Sequence, residues 1–172
     1  VCSSDLAQER FPEKPVRFIV PFPPGGGTDT VARPLSAKLS TLTGQQFVND
    51  NRGGAGGTIG ATVAAKSPND GYTVVFVTIA THAINPFIYE KLAYDPVKDF
   101  AAISIVDRAP VILVVHPSMP IKSVKDLIAL AKSKPGQLNY ASGAPGGSNH
   151  LAAILFNYMA GVDIVRIPYS GS

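Results

Sequence analysis

One cysteine, Cys2, stands alone in 172 residues, so the chain can build neither an internal disulfide framework nor a cysteine-based metal site. Histidines are as sparse: His82, His116 and His150. None sits in an H-E-x-x-H or other metal-ligand spacing, and no G-x-S-x-G elbow supplies a nucleophile. No apolar run approaches the ~20 residues of a membrane span. Charged residues are only 16%, with a formal net charge of +3 and no five-residue basic run; that excludes the usual footprint of a nucleic-acid binder. No pair of carboxylates flanks a glycine loop as an acid and a base would. The sequence therefore offers places to hold a ligand and no machinery to change one. A binding protein without cofactor or metal is expected, not an enzyme.

Hydrophobic residues make up 45% of the chain, enough for a real core and against disorder. Strand and helix signals alternate. The run 16–21 ("VRFIVP") is short, β-branched and bounded by prolines, which predicts a buried strand. Residues 28–42 place Val31, Leu35, Leu39 and Leu42 at helical spacing, with Thr28 as N-cap and Pro34 as an expected kink. Strands are expected at 45–51, 72–79, 101–106, 111–116, 138–141 and 164–167. Helices are expected over "TIGATVAAKS", 123–134 and 148–160, with "ATHAINP" as a loop before a short helix to Lys91. In the 123–134 helix Ser123 is the cap, and Val124, Leu127, Ile128 and Ala131 share one face. Such alternation predicts parallel sheets covered by helices, with ligands held beyond the carboxyl ends of the strands.

Two loops at such strand ends share a design. "PFPPGGGTD" follows the first strand, and "ASGAPGGSNH" follows a later one. Each passes from strand through proline and glycines to a hydroxyl residue that opens a helix. Glycines let backbone approach a ligand, and a helix N-terminus presents unpaired N–H groups that prefer an anion. Phosphate is disfavoured, because neither "GK[ST]" nor G-x-G-x-x-G occurs. Carboxylate is the remaining common anion. The competing reading is that the glycines only make tight turns while Thr28 and Ser148 only cap helices; two matching loops tilt the balance towards a site. Asp29 is unusual in an anion site: it either steadies the first helical turn through the helix dipole or accepts a hydrogen bond from a ligand donor. The "RGGAGG" turn beside Arg52 is read as a device for close helix-to-sheet packing. His150 is read as support for the second loop, His116 as solvent-facing, and His82 as either a ligand contact or a bonded loop residue.

With these segments in view, the chain resembles the periplasmic solute-binding receptors of tripartite tricarboxylate transporters, the Bug or TctC-type family. The segments that carry the resemblance include "FPEKPVRFIVPFPPGGGTDTVAR", "NRGGAGGTIGA", "SPNDGYTVVFVT", "THAINPFIYEKLAYDPVKDFAAIS" and "HLAAILFNYMAGVDIVRIPYSG", and together they cover nearly everything from Phe11 onward. The resemblance implies an α/β, two-lobed periplasmic-binding-protein fold of type II-like form, with parallel-rich sheets flanked by helices, incomplete here. It implies a first domain over 11–103, an incomplete second domain over 104–172 and a hinge crossing at 101–106. The implied ligand is a small organic acid, a di- or tricarboxylate or an aromatic carboxylate, passed to the membrane permease subunits by a monomeric receptor. Carried onto this sequence, one arm of a carboxylate pincer is Phe22, Gly26, Gly27, Thr28 and Asp29. The other is Ser142, Ala144, Gly147 and Ser148, with Thr81, His82 and Tyr169 lining the same cleft. Ser170 stands where the family often has lysine. A periplasmic location follows, with "LAQ" at 6–8 as the remnant of a cleaved leader and the preceding residues foreign or cut. Two rivals are a cytosolic effector-binding domain of a regulator and an ester-processing α/β enzyme.

Overall fold

The computed structural model describes residues 11–143 and 145–169; the expectations for the leader remnant, Ala144 and Ser170 lie outside the described residues. A first unit alternates β1 (Val16–Val20), α1 (Gly27–Thr43), β2 (Phe47–Asn51), α2 (Thr58–Ala65) and β3 (Thr73–Val75). β1 pairs in parallel with both neighbours, Phe18 opposite Asn49 on one side and Val74 on the other, giving the order β2-β1-β3. Parallel neighbours need a crossover, and the helices supply it on both faces. Because side chains alternate along β1, Phe18 and Val20 meet Ala32 of α1, with Leu35, Val74 and Phe76 around them. On the opposite face the chain packs so closely that a Cβ on Gly60 of α2 would lie 2.7 Å from Pro21 Cα and 2.9 Å from the Arg52 carbonyl oxygen. Val16, Ile19 and Val20 are completely buried, each stabilising the fold by roughly 2 kcal/mol.

α1 differs from its sequence pattern in instructive ways. Its N-cap is Gly26, not Thr28, and the helix runs through Pro34 to the left-handed cap at Gly44 without a break. Along its length it buries Ala32 and Ser36, while Val31, Leu35 and Leu39 are half-buried and Leu42 is exposed. Small residues at i and i+4 bring the helix onto the sheet, and the leucines flank that contact.

A second unit holds α4 (Val124–Ser133), β4 (Asn139–Ser142), α5 (Ser148–Ala160) and β5 (Val165–Pro168), with β4 and β5 parallel. Leu127, Ala131 and Ile164 form its core, packed by Ile121, Leu138, Tyr140, Phe156 and Val162. Ser123 caps α4 as expected, accepting from the Asp126 N–H.

Three local expectations are corrected. β3 ends at Val75, short of Ile79, and the expected "ATHAINP" loop is helical: a π-helical turn (Ala80–Ile84) leads directly into α3 (Asn85–Ile88). The strands expected at 101–106 and 111–116 do not form. An isolated extended segment gains no ladder hydrogen bonds, and among the described residues no strand pairs with either run. Their apolar side chains stay in solvent, with Ile103 and Val114 at least 80% exposed.

Candidate functional site

At the carboxyl end of β1 the chain leaves through Pro21, Phe22 and Pro23, turns left-handed at Gly25 (φ +79°), and enters α1 through Gly26. The Gly25 N–H donates to Asp29 Oδ2 at 2.8 Å. Arg33 Nε donates to the same oxygen at 2.6 Å, and Asn51 Nδ2 donates to Asp29 Oδ1 at 2.9 Å while also reaching the Phe22 carbonyl at 3.0 Å. Asp29 is 2% exposed. The hydrogen bond from Arg33, then that from the Gly25 N–H, hold its carboxyl at a pKa of about 2. Asp29 thus ties strand end, helix and β2 together around the loop. Gly26 has no side chain with which to cap α1.

The loop before α5 repeats this construction. Gly146 turns left-handed at φ +78°, Gly147 is the N-cap at φ −66°, and α5 starts at Ser148. Here the Gly146 N–H donates to His150 Nδ1 at 3.2 Å, so His150 does support the loop. Burial first, and then the Arg166 charge, push the pKa of His150 down. Arg166 donates through Nε to Ser142 Oγ at 2.8 Å and through Nη2 to the Gly143 carbonyl at 2.6 Å. The Tyr169 N–H donates to the Ser142 carbonyl at 2.9 Å. Both helix entries are glycine, so neither Thr28 nor Ser148 is an N-cap; each lies inside its first turn.

Between these loops lies the "RGGAGG" turn. It packs helix to sheet at Gly60 as expected, but it also joins the site. A Cβ on Gly57 would sit 2.6 Å from Thr81 Cγ2 and 3.2 Å from Phe22 Cζ. One on Gly56 would lie 3.4 Å from Asn85 Oδ1, 3.5 Å from the Pro145 carbonyl oxygen and 3.6 Å from the Tyr89 hydroxyl. Residues 53–57 therefore touch the first loop at Gly57, where an added Cβ would clash, and the second at Gly56, whose left-handed φ of +63° favours glycine. Ala55 shares the left-handed backbone, at φ +46°.

Thr81 is completely buried. Its hydroxyl accepts from the Thr78 N–H and donates to the Thr78 carbonyl, both at 3.0 Å, and the Tyr94 hydroxyl donates to the Thr81 carbonyl. His82 Nδ1 lies 3.0 Å from the same Thr81 hydroxyl. With the Thr81 proton on the Thr78 carbonyl, Nδ1 is the donor and Nε2, buried without a protein partner, the acceptor; the other hydroxyl rotamer reverses the two. Burial lowers the His82 pKa, and its ring packs edge-on against Phe100 at 4.6 Å.

The structure thus gathers Phe22, Gly26, Gly27, Thr28, Asp29, Thr81, His82, Ser142 and Gly147 around adjoining loops, with Ser148 exposed at the start of α5 and Tyr169 exposed at the end of β5. Asn85, Gly56 and Arg166 were not legible as site residues from the sequence. A lone asparagine before Pro86 carries no motif, although a polar residue among Ala83, Ile84, Phe87 and Ile88 is a signal of sorts. The arrangement supplies backbone donors at two helix entries, two nearby guanidinium groups (Arg33 and Arg166), and two buried polar atoms without a protein partner, Asn85 Oδ1 and His82 Nε2.

The profile of the tripartite tricarboxylate transporter family receptor (TctC) matches residues 31–172. Protein BugT of Bordetella pertussis is 38% identical over 171 residues, which are 99% of this chain and 52% of that protein. Among solved structures, R. palustris Rpa4515 with adipate superposes with a TM-score of 0.87 at 43% identity, covering 94% of this chain and 54% of that one. MatC (Rpa3494) from Rhodopseudomonas palustris with bound malate gives 0.83 at 35% identity, covering 94% and 55%. The chain spans about half the length of these relatives. The α/β class with parallel sheets is the fold of these solute-binding structures.

Proposed function

The chain belongs to the tripartite tricarboxylate transporter receptor family, and from that premise we propose that it serves as an extracytoplasmic receptor that captures a small organic carboxylate. The observation that supports this most directly is the repeated construction at Gly25–Gly26 and Gly146–Gly147: two left-handed turns aimed into two helix N-termini, neither capped by a side chain. A helix N-terminus, where the positive end of the helix dipole lies, favours an anion. Rpa4515 and MatC, similar in fold, carry adipate and malate.

In this reading residues 11–103 and 104–172 contribute to two lobes that close over the ligand. Phe22, Gly26, Gly27, Thr28, Ser142, Gly147 and Ser148 line the carboxylate pincer, Asp29 and His150 hold its two arms, and Thr81, His82 and Tyr169 border the cleft. The loaded receptor docks to membrane permease subunits in the periplasm. Ligand-induced thermal stabilisation of the full-length protein by a panel of di- and tricarboxylates and aromatic acids tests the reading. Stabilisation is expected for at least one acid and is abolished when Gly27 or Ser148 is replaced by a bulky residue. Stabilisation that survives both replacements would remove the pincer assignment.

A further inference from the structure

We propose that Asn85 selects ligands bearing a hydrogen-bond donor, a hydroxyl or an ammonium group, beside the carboxylate; the proposal rests on the receptor reading above and deepens it. Asn85 is completely buried at the head of α3. Its Nδ2 donates to the Gly56 carbonyl at 3.0 Å, which fixes the amide: turned over, two carbonyl oxygens would face each other. The remaining atom, Oδ1, is buried and has no hydrogen-bond partner in the protein. A buried acceptor left in this state is costly, so the protein retains it for a reason.

Its position suggests the reason. Oδ1 lies 3.4 Å from the point where Gly56 would carry a Cβ and 4.0 Å from the corresponding point on Gly146. The atom therefore lies against two glycines, one on the middle turn and one at the entry to α5, and neither puts a side chain on it. Here the first unit meets the second: the Gly56 point also lies 3.5 Å from the Pro145 carbonyl oxygen. A lone carbonyl oxygen repels a carboxylate oxygen and attracts a donor. The helix entries around it do the opposite. A ligand that satisfies both must carry its negative oxygens and a donor close together, as 2-hydroxy and 2-amino acids do. His82 Nε2, also buried without a partner, has the same preference in the tautomer protonated at Nδ1.

Isothermal titration of the full-length protein with matched acids tests this: succinate against malate and aspartate, and glutarate against 2-hydroxyglutarate and glutamate. In at least one set the hydroxyl or amino member is expected to bind at least about tenfold more tightly than the plain acid, because a buried polar group left unpaired penalises the analogue lacking its partner. Asn85→Leu should reduce that ratio to about one while the plain acid still binds, with circular dichroism confirming the fold. Equal affinities across every set in the wild-type protein would overturn the proposal without any variant, and would indicate an ordered water at Oδ1 bridging to any carboxylate. A preference that survives in Asn85→Leu would overturn it too. Failure of all six acids to bind, together with no stabilisation by the wider panel of tricarboxylates and aromatic acids, would instead remove the receptor reading on which the proposal stands.

Discussion

The turn at 25–29 and the turn at 146–150 share a backbone and differ in their locks. In each, a left-handed glycine precedes a glycine N-cap, and the first glycine's N–H donates to the side chain four residues on. In the first turn that side chain is Asp29, which also binds Arg33 and Asn51. In the second it is His150, whose other neighbour of note is the Arg166 charge. A carboxylate held by three donors stays ionised at any physiological pH. An imidazole acting through its lone pair holds only while neutral. One arm of the site is therefore permanent and the other conditional, although the chain path through both is the same.

The largest effect should come from breaking the permanent lock. Asp29→Ala removes three hydrogen bonds to an ionised carboxylate, leaving the Gly25 N–H without its acceptor and the Asn51 amide with the Phe22 carbonyl alone. Urea denaturation is expected to show a loss of about 3 kcal/mol, with ligand-induced stabilisation abolished. A loss below about 1 kcal/mol would mean that glycine conformation alone holds the loop. Acid should reach this lock late. The folded pKa of about 2 lies below the ordinary 3.8, so the stabilisation, on the order of 2 kcal/mol, is fully present above pH 4 and disappears as pH falls towards 2.

The conditional lock should break more easily and at milder pH. His150→Ala removes one neutral hydrogen bond and is expected to cost about 1 kcal/mol by the same measurement. Because the folded pKa of His150 is lowered, the unfolded chain takes up the proton first as pH falls below 6.5; stability and loop order contributed by this histidine are then lost as pH falls further. Carboxylate affinity measured from pH 7.5 down to 5 should weaken a few-fold in the wild-type protein. His82, also lowered by burial, titrates in the same direction. His150→Asp separates the two: it gives the second turn the lock of the first, with Arg166 near, and should flatten the part of the pH dependence that belongs to the loop. An unchanged pH profile in that variant would assign the effect to His82.

Much of this design was legible in the sequence. The order of strands and helices in both units and the likeness of the two glycine loops follow from β-branched runs, helical spacing and punctuation by proline and glycine. What could not be read depends on partners distant in sequence. The apolar runs at 101–106 and 111–116 have the composition of strands, yet a strand exists only with a neighbour. "ATHAINP" has the composition of a loop, yet the packing of Thr81 and Asn85 under Gly57 and Gly56 makes it helical. Asp29 was open between steadying its helix and contacting a ligand; three hydrogen bonds from Gly25, Arg33 and Asn51 support the steadying role, and no local pattern could have revealed Asn51, twenty-two positions away.

The smallest effect is the finest test of whether the two turns are alike. Gly25 and Gly146 have left-handed φ values one degree apart, +79° and +78°. An added Cβ at Gly25 meets nothing within 4 Å, and one at Gly146 meets only Asn85 Oδ1, at 4.0 Å. With no clash at either site, alanine costs only the backbone strain of that conformation, about 1 kcal/mol. Gly25→Ala and Gly146→Ala should therefore lower stability equally, within the precision of chemical denaturation. Their effects on ligand binding should nevertheless diverge, since only the methyl at 146 borders the oxygen of Asn85 and would partly screen it. Equal losses of stability with unequal losses of affinity would separate the shared backbone from the ligand-facing chemistry. A large stability difference between the two would show that the turns are not held in the same way.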